Sequence, residues 1–563
     1  EDLIKQLKGQ GYERIVIKDE EAMLINLKKQ LELFNNTIFS AKEFDTILNH
    51  LAKGNYFQKA KTLRDRFQLK RDDEEVDYIQ FFDSEVLSRN IFQVTNQISQ
   101  EGIYKTRYDV TLLLNGFPLV QIELKRRDIE IKEAFNQLMR YDKHSFNAGY
   151  GLFQFVQIFI TSNEHETKYF SNTYHKNFSF EQTFHWAKEN NQTINDLYKF
   201  STAFLDKNHL ADMIANYVVI SESLNILMVF RPYQYYAVKA ILAQVQTSNE
   251  NGYIWHTTGS GKTLTSFKAS QVVLAEKEVK KVVFVVDRKD LDHQTAEEFN
   301  KFKEGSVDMT TNTSSLVAQL ADSTPLTVTT IQKLNNAITK SHYQKRIEHL
   351  KSEKIVFIFD ECHRSQFGDT HKAITSFFTK AQMFGFTGTP IFEKNAHKND
   401  LGKRTTKDLF GKRLHEYVIT DAIRDENVLR FGVEYIGRYK KKGKTLLDIE
   451  VAAIDTKEIF DDEVRIGKIV DYIIENHDTK TRKREFSAIL TVSSKENLYK
   501  YFKGFQQKRE EGKHDLRIAG IYSYGTNEED TEAKGQLPEV DKEKKEPKLS
   551  HAAEEAAKYV PTH

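Results

Sequence analysis

Along this chain, short runs of consecutive apolar residues alternate with stretches in which apolar positions recur every three or four residues. That alternation predicts an α/β protein built on parallel sheets. Val282–Val286 and Ile355–Phe359 are uninterrupted apolar runs, the pattern of parallel strands covered on both faces, and Met383–Phe386 is a third short strand. Upstream, Asp109–Leu114 and Phe117–Lys125 flank Asn115-Gly116, a pair suited to a type I′ turn because both central residues need positive φ; a β-hairpin is predicted. The period of two in its second strand places Val120, Ile122 and Leu124 on one face and Gln121, Glu123 and Lys125 on the other. A helix is expected over Ile131–Tyr141, where Gln137 and Tyr141, spaced i, i+4, share a face. Near the other end, Phe486–Ser494 has the composition of a central strand, and from Glu528 the chain turns to Glu, Lys, Asp, Gly and Pro, a mobile linker before a short helix near Ala552.

A chain of 563 residues is too long for one hydrophobic core. Three modules are expected: residues 1–208, 209–415 and 416–563. Hydrophobic content of 39% with 29% charged residues is that of a water-soluble globular protein, and no apolar run is long enough to span a bilayer. The start, Glu1-Asp2-Leu3-Ile4, lacks a secretory pattern and an initiator Met; we read it as trimmed and take the cytoplasm as the location. Cys362 is the single cysteine, which excludes an intrachain disulfide framework and a multi-cysteine zinc site. With 82 basic against 81 acidic residues, whole-chain charge does not announce nucleic acid, although a local basic channel would not show in that balance.

The hairpin brings chemistry with it. Glu123 and Lys125 point the same way, and Asp109 enters from the first strand, so two carboxylates and an ammonium converge. Oxygen ligands of this kind suit Mg²⁺, with Asp109 and Glu123 as metal ligands and Lys125 orienting water or steadying charge on a phosphate. The alternative is an edge strand whose charged residues are simply solvated. Upstream, Asp72-Asp73-Glu74-Glu75 is expected as a solvated loop.

A second constellation begins at Ile254, where a short strand leads into Thr257-Thr258-Gly259-Ser260-Gly261-Lys262-Thr263. Glycines let backbone N–H groups approach phosphate oxygens, the next helix offers its positive N-terminus, Lys262 reaches the β and γ phosphates of ATP, and Thr263 completes a Mg²⁺ shell. His256 stands where the strict pattern has its first glycine. The strand Ile355–Phe359 ends in Asp360-Glu361-Cys362-His363; an aspartate there holds Mg²⁺ and the adjacent glutamate polarises the attacking water.

Further segments follow the order of a superfamily 2 helicase. Arg231-Pro232-Tyr233-Gln234 resembles the element that reads adenine, with Gln234 as donor and acceptor, and it also has the form of a helix start with Pro at the first position. Asp287–Leu291 and Thr329–Lys333 resemble elements that grip the phosphate backbone without reading bases, and Thr387-Gly388-Thr389-Pro390 resembles the element coupling hydrolysis to DNA. Together these imply a RecA-like lobe from about Leu210 to Lys412, with ATP contacted by Arg231, Gln234, Thr258–Thr263, Asp360 and His363. A second, incomplete lobe would begin near Thr420. The hairpin, in turn, resembles the PD-(D/E)xK nuclease core, and Gln137 with Tyr141 matches the Gln-xxx-Tyr element of its RecB-like branch.

Nuclease, phosphate loop and Phe359–Phe367 in this order resemble the motor subunit of type I restriction–modification enzymes, over roughly Arg107 to Tyr524. The resemblance implies ATP-driven translocation of double-stranded DNA, Mg²⁺-dependent cutting away from an unmethylated recognition site, and assembly with methyltransferase and specificity subunits. The rival readings are a superfamily 2 helicase or remodeller whose hairpin is structural, and a DNA-binding scaffold that uses ATP only as structural glue.

Overall fold

The computed structural model describes residues 1–101, 105–144, 151–173, 178–221, 223–286, 296–300, 312–362, 367–394, 398–399, 402–403, 405–434 and 462–521. The chain divides into two compact units, Glu1–Val433 and Glu434–His563.

The first unit carries two six-stranded sheets. The N-terminal one is mixed, in the order β1 (Glu13–Arg14), β2 (Phe92–Glu101), β3 (Lys105–Leu114), β4 (Phe117–Leu124), β5 (Ile158–Ser162), β6 (Thr167–Ser171). The predicted hairpin is β3–β4, and its turn has the expected form, with φ of 51° at Asn115 and 85° at Gly116. A Cβ at Gly116 would lie 2.9 Å from the Leu27 backbone, so close packing as well as φ demands glycine. Asn115 is buried and pins the turn: its amide donates to the Phe81 carbonyl at 3.0 Å, and its Oδ1 accepts from Ile91 N–H at 2.8 Å.

β4 is an interior strand, antiparallel to β3 and parallel to β5. Both of its faces are covered: Val120, Ile122, Gln121 and Glu123 are all fully buried. The solvated-edge alternative for Glu123 therefore fails, because helix α1 (Ile131–His144) lies across that face, packing Phe135 on Phe170 of β6. The acidic run Asp72–Glu75 is exposed in a turn between the strands Arg66–Lys70 and Val76–Gln80.

The second sheet is all parallel, in the order β9-β8-β10-β11-β7-β12, where β7 is Gly252–His256, β8 Val279–Val286, β9 Leu326–Thr330, β10 Lys354–Phe359, β11 Lys380–Thr387 and β12 Lys412–Tyr417. The apolar runs read from the sequence are its central strands, fully buried at Val282–Val285 and Ile355–Ile358. Helix α2 (Pro232–Thr247) starts with Pro at its first turn, where the missing N–H costs nothing, and α3 (Lys262–Leu274) follows β7. β12 spans the 415/416 boundary expected from the sequence, since it pairs with β7 as an edge of this sheet.

In the second unit the segment Phe486–Ser494 is not a strand. Its described elements are the helices Glu463–Lys480 and Lys495–Glu510, so no neighbouring strand is present among the described residues to ladder with, and Phe486 and Ile489 stand 58% and 94% exposed. Strand-like composition specifies a strand only where a partner edge exists. Asp287–Leu291, His363, the charged stretch from Glu528 and the helix expected near Ala552 lie outside the described residues. Among the described residues no helix is long and apolar enough to cross a membrane.

Candidate nucleotide and nuclease sites

The loop between β7 and α3 folds as its sequence requires. Gly259 and Gly261 adopt φ of 82° and 76°, a region that costs other residues about 1–2 kcal/mol. Ser260 braces the loop by donating its hydroxyl to the Thr257 carbonyl at 2.7 Å, while Thr258 and Gly259 face solvent. Thr263, half-buried, lies in the first turn of α3. Lys262 sits at the start of α3 with its side chain 9% exposed, and its ammonium lies 3.3 Å from Glu361 Oε1. Asp360 and Glu361 leave the end of β10, and the Glu361 N–H donates to Asp360 Oδ1 at 3.0 Å. Glu361 holds φ of 48°, the left-handed region, so the backbone turns sharply just where the sheet delivers both carboxylates beside the phosphate loop.

Burial, followed by the neighbouring Glu361 charge, pushes the Asp360 carboxyl up to about 6, against the pull of Lys262. A carboxylate so placed, short of positive charge, has the chemistry of a ligand for a divalent cation.

Of the adenine-element candidates, Gln234 reaches the loop: its amide donates to the Ser260 carbonyl at 3.3 Å and its Oε1 accepts from Arg231 N–H at 3.1 Å. The Arg231 side chain turns elsewhere, over the Phe184 ring at 4.2 Å and onto Asn427. Sequence reasoning gave Tyr233 no role of its own within that element and did not find Tyr417; their rings stack at 3.6 Å while the Tyr233 hydroxyl donates to the Ser260 carbonyl at 2.8 Å. Nor did it find the pairing of His256 with His415, whose ring nitrogens lie 3.0 Å apart in full burial. Gly388 packs against the loop, where a Cβ would come within 3.3 Å of Thr258 Oγ1, and its carbonyl accepts from Trp255 Nε1 at 3.2 Å. In the other grip element Thr329 and Thr330 are buried, and the Thr330 hydroxyl accepts the Lys333 N–H as a helix cap, leaving neither hydroxyl on the surface.

In the N-terminal sheet, Asp109, Glu123 and Lys125 do converge. Asp109 Oδ2 accepts from Leu124 N–H at 2.9 Å; Lys125 Nζ lies 3.4 Å from Glu123 Oε1 and donates to Gln137 Oε1 on α1. Tyr141 falls on the same helix, with its side chain outside the described residues. Burial, then the adjacent Asp109 charge, pushes Glu123 up to about 8. Its Oε2 is buried and receives no N–H donor, and the carboxyl lies in contact with that of Asp109, a crowding of acceptors that a cation would relieve. Among the described residues no cluster of three or more His, Cys, Asp or Glu side chains could hold a metal, so a cation here would need oxygen from other groups as well.

A buried parallel sheet with a lysine-bearing phosphate loop facing an acidic pair defines a P-loop ATPase lobe, and the SWI2/SNF2 ATPase family model matches residues 233–464. The model of the type I restriction enzyme R protein N terminus matches residues 1–178, and that of type I restriction enzyme subunit R domain 3 matches 484–561. The type I restriction enzyme EcoprrI endonuclease subunit of Escherichia coli is 40% identical over 255 residues, 44% of this chain and 81% of that one. The SsaAORF53P endonuclease subunit of Staphylococcus saprophyticus is 47% identical over 553 residues, 96% of this chain and 58% of that protein. The chain belongs to the endonuclease subunits of type I restriction enzymes, and it spans little more than half the length of its staphylococcal relative. A solved DNA-bound Type ISP restriction-modification enzyme, LlaBIII, aligns at 20% identity over 36% of this chain and 16% of its own with a TM-score of 0.28, a likeness too slight to speak to function.

Proposed function

We propose that this chain is the restriction subunit of a type I restriction–modification enzyme, working in the cytoplasm on double-stranded DNA together with methyltransferase and specificity subunits. ATP hydrolysis drives DNA past the complex, and the N-terminal module, a PD-(D/E)xK nuclease over residues 1–208, cuts it away from the unmethylated recognition site. Residues from 209 form the first RecA-like lobe, and the second unit is part of another. The observation that carries this reading is the coexistence in one chain of the Lys262–Glu361 pair at a phosphate loop and the Asp109–Glu123–Lys125 group under α1.

In the motor, backbone amides around Gly259–Gly261 and the N-terminus of α3 receive the triphosphate, and Lys262 exchanges Glu361 for phosphate oxygens. Gln234 reads the adenine edge, while Arg231 fixes the start of α2. Glu361, freed from Lys262, holds and polarises the attacking water; His363 follows it in the same element. Thr263 and Asp360 hold Mg²⁺, which neutralises phosphate charge when bound. In the nuclease, Asp109 and Glu123 hold a divalent cation that polarises the scissile phosphate when bound. Lys125 steadies charge on that phosphate, and Gln137, with Tyr141 one turn on, positions Lys125.

The test is reconstitution with candidate methyltransferase and specificity subunits, followed by ATP-dependent cutting of unmethylated plasmid. Asp109→Ala and Lys125→Ala should abolish cutting and spare ATP hydrolysis, whereas Lys262→Ala should abolish both. Unchanged cutting in Asp109→Ala would favour the helicase whose hairpin is structural.

A further inference from the structure

Across the N-terminal sheet a polar row runs perpendicular to the strands. Glu123 on β4 is the register partner of Thr161 on β5, and Thr161 is the register partner of Lys168 on β6. Register partners present their side chains on one face of a sheet. Asp109, one residue beyond the Val110–Ile122 pair, continues the row on the other side and bonds into β4 through the Leu124 amide. The face is the one covered by α1. Phe159 and Phe170, two positions from Thr161 and Lys168, meet at a tilt with centroids 5.4 Å apart, Phe170 meets Phe135 of α1, and Lys125 reaches Gln137 of the same helix.

Thr161 is fully buried, and its hydroxyl has no hydrogen-bond partner among the described residues; Glu123 Oε2 on the adjoining strand receives no N–H donor. Two unsatisfied buried oxygens side by side are costly, each on the order of 1–3 kcal/mol. Its neighbour Ser162, also buried, meets the Thr167 hydroxyl at 2.8 Å, whereas the Thr161 hydroxyl meets none. Such a pair is retained where a ligand absent from the fold alone satisfies it. Two carboxylates are also few for a hard divalent cation, which takes about six oxygens.

We infer that Thr161 is a further member of the nuclease metal site: its hydroxyl oxygen adds to those of Asp109 and Glu123 in the shell of one divalent cation. Lys168 ends the row, and its ammonium is engaged 3.6 Å from Glu166 and 4.7 Å over the Phe180 ring. This rests on the nuclease reading of Asp109, Glu123 and Lys125 above.

The test uses the full chain carrying Asp360→Asn, which removes the other divalent site proposed above and serves as the wild type for positions 123 and 161, without nucleotide, with Mn²⁺ alone as the probe and free Mn²⁺ counted by its electron paramagnetic resonance signal. Wild type should bind the ion, Glu123→Gln should lose it, and Thr161→Val should weaken it about tenfold, with Thr161→Ser close to wild type. In metal-free buffer Thr161→Val should melt at or above the wild-type temperature, because no hydrogen bond is lost. If Thr161→Val binds Mn²⁺ like wild type while Glu123→Gln does not, the inference about Thr161 is overturned and the nuclease site stands. If Thr161→Val melts several degrees lower without metal, the hydroxyl is structural and the inference is again overturned. Wild-type affinity in Glu123→Gln, or no Mn²⁺ bound by wild type, removes the metal-site reading itself.

Discussion

Lys262 and Glu361 form an ion pair of 3.3 Å between the phosphate loop and the end of the central strand β10. Lys262 opens α3 after the loop that leaves β7 and Glu361 follows the end of β10, and the parallel order of β7 and β10, with β11 between them, brings them together. In the proposed motor the two have separable roles, Lys262 on the phosphates and Glu361 on the attacking water. Glu361→Gln should therefore retain ATP binding while phosphate release in the assembled complex falls by about a hundredfold or more, the scale of losing a positioned general base. Parallel measurement of nucleotide affinity and phosphate release checks it; a comparable loss in both would make Glu361 a binding residue.

Gly261 carries a second prediction. At φ of 76° an added Cβ would stand 2.8 Å from Gln234 Nε2, displacing the amide from the Ser260 carbonyl. Gly261→Ala should lower stability by about 1–2 kcal/mol through its backbone alone and weaken ATP binding beyond that. Denaturant unfolding and nucleotide titration of the same variant read the two effects.

Much of this was legible in the sequence because the chemistry and the structure use the same signals. Val282–Val286 and Ile355–Phe359 are continuous apolar runs since both faces of a central parallel strand are covered. Asn115-Gly116 announced its turn because few other pairs tolerate two positive φ values. Thr161 gave no signal: it sits in Ile158–Ser162, a strand without charge, and acquires meaning only through its register with Glu123. The stack of Tyr233 on Tyr417 joins residues far apart in the chain, a relationship that local pattern does not carry. Phe486–Ser494 misled for the converse reason, having strand composition without a neighbour among the described residues to pair with.

Gln137 on α1 accepts a hydrogen bond from Lys125 Nζ, and in the proposed nuclease it positions that ammonium. Gln137→Ala should slow DNA cutting by the reconstituted complex about tenfold while leaving ATP hydrolysis unchanged, on the scale of losing one supporting contact to a functional group. A gel assay of plasmid cutting beside phosphate release distinguishes this from general unfolding, which would lower both.

Acid sensitivity is predicted from two histidines held in low-dielectric surroundings. Burial pushes His209 and His415 down to about 4, below the ordinary value of 6.5, so the folded protein holds them neutral while the unfolded chain binds protons. Their contribution is complete above about pH 6.5 and is lost as pH falls through 4, each on the order of 3 kcal/mol over that window. His209→Gln should flatten the fall in melting temperature between pH 6.5 and 4, measured by calorimetry. An unchanged slope would mean that His209 does not stay neutral in the fold.

The claim on which the motor rests is that nucleotide binds at Gly259–Thr263. Calorimetric titration of ATP with Mg²⁺ into the chain and its Lys262→Ala variant tests it most directly. The account predicts binding by the wild type that weakens at least about tenfold in the variant, the worth of a charge-assisted contact to phosphate; equal affinities in the two proteins would contradict it.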